Sequence, residues 1–163
     1  MQPTKIARNR HASVTVHDHP ESPVCVVMFH PVLNENNHMP VQVYWLDEPW
    51  VTAIDLSGMV TTGDIREVIG ACLPNLKSHP VYFLIDMTAV TGVETKIFEL
   101  SSLSEWIYHP NGRWFVYIKP HHLFNAVMKM RQRGNYKTFE TREEAVTFLQ
   151  ASTQAERQRA KLF

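Results

Sequence analysis

The chain has 163 residues, 44% of them hydrophobic, enough for one domain with a real core and some extra sequence. Sixteen basic residues balance sixteen acidic ones, so no bulk field favours nucleic acid or an anionic membrane as principal partner. The longest apolar runs, such as Val24 to Phe29, fall far short of the roughly 20 residues a membrane span needs, and no charged leader precedes a long apolar stretch. The expected location is the cytoplasm.

Residues 1–40 carry Pro3, Pro20, Pro23, Pro31 and Pro40 among Asn, His and Arg, a composition that breaks regular structure and suits an arm or linker. Within it, Val24 to Phe29 is a short β-prone run that suits a strand at a sheet edge or at a partner's edge. From Val41 the pattern turns regular. Val41, Val43 and Trp45 alternate with Gln42 and Tyr44, and Trp50 to Leu56 forms a second run beyond the turn at Asp47-Glu48-Pro49, which predicts an antiparallel hairpin. Ser57-Gly58 is expected to end its second strand. Thr61 and Asp64 stand at capping-box spacing before Ile65, Val68, Ile69, Cys72, Leu73 and Leu76, a helix expected to kink or stop near Pro74.

Val81 to Ile85 is apolar without alternation, as in a central strand covered on both faces. A Thr-rich loop from Thr88 to Thr95 is expected next, then a second helix through Ile97, Leu100, Leu103 or Ser104, and Ile107. His109-Pro110-Asn111-Gly112 stops it. Trp114 to Ile118 reads as a buried strand, Leu123, Val127 and Met130 as a helix ending at Gly134, and Tyr136 to Phe139 as a last strand. Thr141 and Glu144 form a second capping box before Ala145, Phe148 and Leu149. The stretch 151–163 is a polar helix extension or tail. The expected fold is a single α/β domain over residues 41–150, a mostly parallel sheet with an antiparallel edge strand, in the order β-β-α-β-α-β-α-β-α.

In an open parallel sheet, reactive groups collect at the carboxyl ends of the strands. Asp86, Thr88, Thr91, Glu94 and Thr95 follow the first central strand; Lys119, His121 and His122 follow the next; Glu140, Thr141 and Arg142 follow the last. These three groups can share one surface. His109, Asn111 and Arg113 belong to the opposite end and read as a structural turn.

The segment Leu84-Ile-Asp-Met-Thr-Ala-Val-Thr-Gly-Val-Glu-Thr-Lys-Ile97 resembles the strand-loop-helix of anti-sigma-factor antagonist (STAS) domains, which carry a phosphorylation site there. Matched without gaps, Glu94 falls on the family's acidic residue, Thr95 on its phosphoacceptor serine, and Lys96 on the next serine, a departure from the family's pattern. The element order agrees over residues 41–150, and a His-Pro-Asn turn similar to residues 109–111 recurs in the divergent SpoIIAA-like superfamily. The resemblance implies a regulatory module that binds a partner protein. A phosphate on Thr95 would meet free N–H groups at a helix start, with Lys96 as charge partner; Thr95 suits an ordinary N-cap equally well.

Other chemistries find less support. Asp86 with Lys119-Pro120 is superficially similar to a phospho-receiver site, but the earlier acidic pair is missing, and Asp86 is expected to bind its own loop's backbone in an Asx-type turn. His17, His19 and His30, or His121-His122, lack helix-face spacing and nearby cysteines, so no metal site is expected. Cys25 and Cys72, far apart, are expected free and reduced. No hydrolase elbow, P-loop, dinucleotide fingerprint or zincin motif occurs, so no catalytic residue and no cofactor are assigned. The first expectation is a non-catalytic interaction module whose surface is Asp86 to Lys96 and the following helix. Its partner is a protein, a second copy of the chain being admissible. Phe98 and Trp106 stand either in an exposed contact patch or in the core. The alternative is a small-molecule or lipid pocket at the strand ends, which the distantly similar SEC14-type domains imply.

Overall fold

Alternating side chains make Val41–Asp47 (β1) half-buried along its length, and it pairs antiparallel with Val51–Val60 (β2) across the turn that Trp50 N–H closes on Asp47 O at 2.7 Å. The computed structural model describes residues 40–131 and 134–160. The Val24–Phe29 run, Cys25 and the histidines before residue 31 therefore lie outside the described residues. After β2 come Thr62–Ser78 (α1), Val81–Val93 (β3), a 3-10 helix Thr95–Glu99, Ser101–Ile107 (α2), Gly112–Ile118 (β4), His122–Arg131 (α3), Tyr136–Phe139 (β5) and Arg142–Ala160 (α4). The sheet order is β1-β2-β3-β4-β5, antiparallel at the first pair and parallel at the other three.

That sequential order decides where the helices go. Each right-handed crossover steps the same way, so α1, α2 and α3 all land on one face. Ile54, Phe83, Ile85, Phe115 and Tyr117 there meet Val68, Cys72, Leu103, Trp106, Phe124 and Met128. The chain returns only once, as α4, over Ala53, Leu84, Val116 and Ile118 on the second face, which it covers with Ala145 and Leu149. Trp106 is core: its ring lies edge-on to both Phe83 and Phe115 at 5.2 Å, and Phe98 is partly buried beside Phe124. The exposed aromatic patch considered for these two residues is not there.

Several boundaries differ from the sequence reading. Ser57-Gly58 does not end β2; it forms an irregularity at which Gly58 takes φ +68°, and the strand continues to Val60. Pro74 does not stop α1, which runs on to Ser78, because Cys72 and Leu76 on either side of it are fully buried on the sheet. The expected Thr-rich loop is mostly strand, since β3 continues to Val93 against the extended β2. The helix expected after it is split at Leu100, an extended residue between the 3-10 turn and α2. In α3 the buried positions are Phe124 and Met128, one residue along from the expected stripe, and Met130 is 70% exposed. The segment from Ala151 continues α4 to Ala160. Among the described residues no helix is long and apolar enough to cross a membrane.

The capping box of α1 is complete in both directions. Thr61 Oγ1 accepts from Asp64 N–H, and the Asp64 carboxylate accepts from Thr61 N–H at 2.7 Å. At α4, Thr141 Oγ1 accepts from Glu144 N–H. The His109-Pro110-Asn111 turn is structural: Asn111 Nδ2 donates to Leu76 O at 2.7 Å, its carbonyl accepts from Val81 N–H, and Gly112 N–H closes on His109 O.

Candidate functional site

Beyond Asp86, β3 has passed the end of β4, and beyond Leu56 the outer edge of β2 meets Pro40, whose carbonyl accepts from Ser57 N–H at 3.0 Å. The register of β1 on β2 begins at Val41 opposite Leu56, and that of β4 on β3 ends at Ile118 opposite Asp86. Ser57 to Val60 and Ala89 to Val93 pair with each other as a two-stranded ribbon past the carboxyl end of the sheet. Val60 is buried, and Val90 and Val93 pack on the α1 side of the core. Thr88, Ala89 and Thr91 are exposed, and Met59 is 60% exposed with its thioether lying over Gly92. A Cβ on Gly92 would sit 2.6 Å from Met59 Cε.

Glu94 anchors the end of this ribbon. Its Oε2 accepts from Thr62 N–H at 2.8 Å and Thr62 Oγ1 at 2.9 Å, so it serves the first turn of α1. The Thr62 backbone bond and then its hydroxyl hold the Glu94 carboxyl below its ordinary range, against a smaller opposing effect of burial. Thr95 is exposed and opens the 3-10 helix; the N-cap position is Glu94, whose side chain makes no cap bond. The expected N-cap role of Thr95 is thus corrected: the residue before it starts the turn. Lys96 is exposed beside it.

Asp86 lies at the base of the ribbon, on the α4 face. Its Oδ1 accepts from Thr88 N–H at 3.0 Å, the Asx-type turn expected from the sequence, and its Oδ2 pairs with Arg142 Nη1 at 3.1 Å. The same Nη1 reaches Asp55 Oδ1 at 2.9 Å. Tyr44 Oη donates to Asp55 Oδ2 and accepts from Arg142 Nη2. Burial first, then the Asp55 carboxylate, pushes the Tyr44 hydroxyl above its ordinary pKa. The first turn of α4 is thereby tied to β1, β2 and β3. This network joins the groups expected after β3 and β5, and it includes Tyr44 and Asp55, which the sequence reading had not placed at the site. Tyr44 alternates with Val43 and Trp45, and Asp55 with Ile54 and Leu56, so strand alternation already put both on the second face.

Lys119 follows β4 at φ +42°, its N–H donating to Phe139 O at 3.1 Å, and His121 stands just before His122, the first residue of α3, with ring centres 4.2 Å apart. No hydrogen bond or ion pair joins these three to Asp86 or Glu94 among the described residues. Nor do any three metal-ligating side chains cluster there. A cavity of about 670 Å³ lies at the opposite end of the sheet, between the α2–β4 turn and the end of α3. The Tyr44–Asp55–Arg142–Asp86 network lies at the carboxyl ends of β2 and β3.

No model of a known protein family matches the sequence, and no curated protein sequence matches it. Solved structures do. A protein of the DUF3478 family with a SpoIIAA-like fold, from Shewanella loihica PV-4, superposes with a TM-score of 0.50 at 16% identity, over 67% of this chain and 91% of its own. The anti-sigma factor antagonist SpoIIAA in its unphosphorylated form gives a TM-score of 0.53 at 13% identity, over 68% of this chain and 97% of its own. The sheet order, the three helices on one face and the single return helix on the other thus give this domain a SpoIIAA-like α/β fold.

Proposed function

We propose that this domain is a non-catalytic regulatory module that binds a partner protein through the β2–β3 ribbon and the 3-10 helix after it. One observation carries the reading: β3 runs on past the end of β4, and among the described residues the ribbon it forms with β2 displays Met59, Thr88, Ala89 and Thr91 next to Thr95 and Lys96. Such a surface offers main-chain polar groups and small side chains to a partner, with Met59 as an adaptable apolar contact. Likeness of fold to an anti-sigma factor antagonist supports the regulatory class. Thr95 enters as a contact residue; its hydroxyl is exposed, as a phosphoacceptor's must be, but only a five-residue 3-10 turn follows it.

The test is quantitative affinity capture from native lysate with wild type, Thr91→Arg, Lys96→Glu and, at the far end of the sheet, Tyr108→Ala. One partner lost with the first two variants and retained with the third supports the ribbon. Identical partner sets for all four would remove it from the reading.

A further inference from the structure

Gly92 is buried within an otherwise open stretch of the ribbon: Thr88, Ala89 and Thr91 before it are exposed, and Val93 after it is half-buried. The Met59 side chain covers it. Met59 stands opposite Gly92 in the β2–β3 register, and a Cβ placed on Gly92 would meet Met59 Cε at 2.6 Å and Sδ at 2.9 Å, so the thioether occupies the space that a side chain there would fill. The same side chain is 60% exposed. Of the other described methionines, Met87 and Met128 are buried, and Met130, 70% exposed, stands near the end of α3, outside the ribbon. Met59 thus joins two properties that are separate elsewhere in the described chain: its sulfur is open to solvent, and its fit on a glycine shapes the proposed contact surface.

An exposed thioether is oxidised by a peroxide. The sulfur lone pair attacks one peroxide oxygen, the O–O bond breaks and an S–O bond forms; the sulfur gives up two electrons, and hydrogen peroxide leaves as water. The sulfoxide is polar and chiral, and reductases return it to the thioether. Its oxygen is added to the very atom that lies against Gly92, so an adaptable apolar contact becomes a polar one. We propose that peroxide oxidation of Met59 to the sulfoxide releases the protein partner from the β2–β3 ribbon, and that reduction restores binding. This switch rests on the reading of the ribbon as the partner surface, and it can fail while that reading stands.

The test is affinity capture from native lysate by the full chain before and after hydrogen peroxide, with peptide mass mapping of the same samples. Wild type, Met59→Leu, Met130→Leu and Thr91→Arg are compared. In wild type, oxygen is expected on Met59 and Met130 and not on Met87 or Met128, and capture is expected to fall about fivefold or more, as when one well-packed contact is altered. Methionine sulfoxide reductases of both stereospecificities are expected to restore it. Met59→Leu keeps the apolar bulk and is expected to hold the partner through peroxide treatment, whereas Met130→Leu is expected to lose it as wild type does. Wild type that keeps its partner with Met59 oxidised would overturn the switch and leave the ribbon standing, and so would an equal loss in Met59→Leu. Capture by untreated Thr91→Arg equal to that by wild type would instead remove the ribbon, and the switch with it.

Discussion

Asp55 and Asp86 stand directly opposite each other on neighbouring parallel strands, and one nitrogen of Arg142 bridges them at 2.9 and 3.1 Å. Like charges at paired strand positions repel, so the arginine that opens α4 is what makes the pair tolerable. The three groups are between a fifth and two fifths exposed, which puts the network above a surface pair and below a buried one. Arg142→Ala is expected to lower stability by about 1–2 kcal/mol, and Asp55→Asn in that background to recover part of the loss. Urea denaturation of the three chains measures both. An unchanged midpoint for Arg142→Ala would show that the network holds nothing.

Glu94 has a defined pH signature. Its folded pKa is depressed, so its contribution is fully present above the ordinary glutamate pKa and is lost as pH falls through the lower folded value. Wild type is expected to be more stable than Glu94→Gln at about pH 7, and the gap to narrow steadily below about pH 4. Thermal melts across that interval decide it; a gap that widens in acid would contradict the assigned bonds to Thr62.

Two glycines of the ribbon are expected to respond differently to alanine. Gly58 lies at φ +68° with open space where a Cβ would stand, so Gly58→Ala meets only the left-handed backbone penalty of about 1 kcal/mol. Gly92→Ala places its methyl against the end of Met59, which is exposed and free to swing away, so its cost is expected below about 0.5 kcal/mol. Because Met59 must move, Gly92→Ala is nevertheless expected to weaken partner capture. Stability and capture measured on the same variants separate the two effects.

The last ten residues of α4 are an anchor. Glu156 accepts from Tyr82 Oη at 2.5 Å and pairs with Arg113 Nε at 2.9 Å, and Arg157 Nη2 reaches both oxygens of Asp47 at 2.7 Å with its guanidinium 5.4 Å from the Trp50 ring. Thr153 is buried between these contacts and the first half of the helix. A chain ending at Gln150 is expected to lose about 2–4 kcal/mol, since it leaves the Tyr82 hydroxyl and the Asp47 carboxylate without these partners. Stability equal to that of the full chain would make this segment a mere tail.

Burial pushes the Cys72 thiol up to about 12, and the side chain is fully enclosed between α1 and the sheet. Iodoacetamide at about pH 8 is therefore expected to leave Cys72 unmodified in the folded protein and to label it in denaturant, as read by peptide mass mapping. Labelling under native conditions would indicate that α1 opens from the sheet.

Elements whose signal is local were legible in the sequence. The apolar run Val81 to Ile85, the alternation of Val41, Val43 and Trp45, and the Thr61–Asp64 capping box each carry their meaning within a few residues, and together they determined the α/β class, the edge hairpin and the order of elements. The Asx-type turn of Asp86 was legible for the same reason. What the tertiary structure alone decided depends on partners distant in the chain. Thr88 to Val93 is polar enough to read as a loop, and it is strand because Ser57 to Val60 lies beside it with matching backbone groups. Trp106 is core because Phe83 and Phe115 converge on it, and residues 151–160 are anchored helix because Asp47, Tyr82 and Arg113 offer charge and hydroxyl on the facing surface. Tyr44 and Arg142, 98 residues apart, meet because a strand edge and a helix start share one corner of the sheet, and no periodicity in a linear sequence encodes that distance.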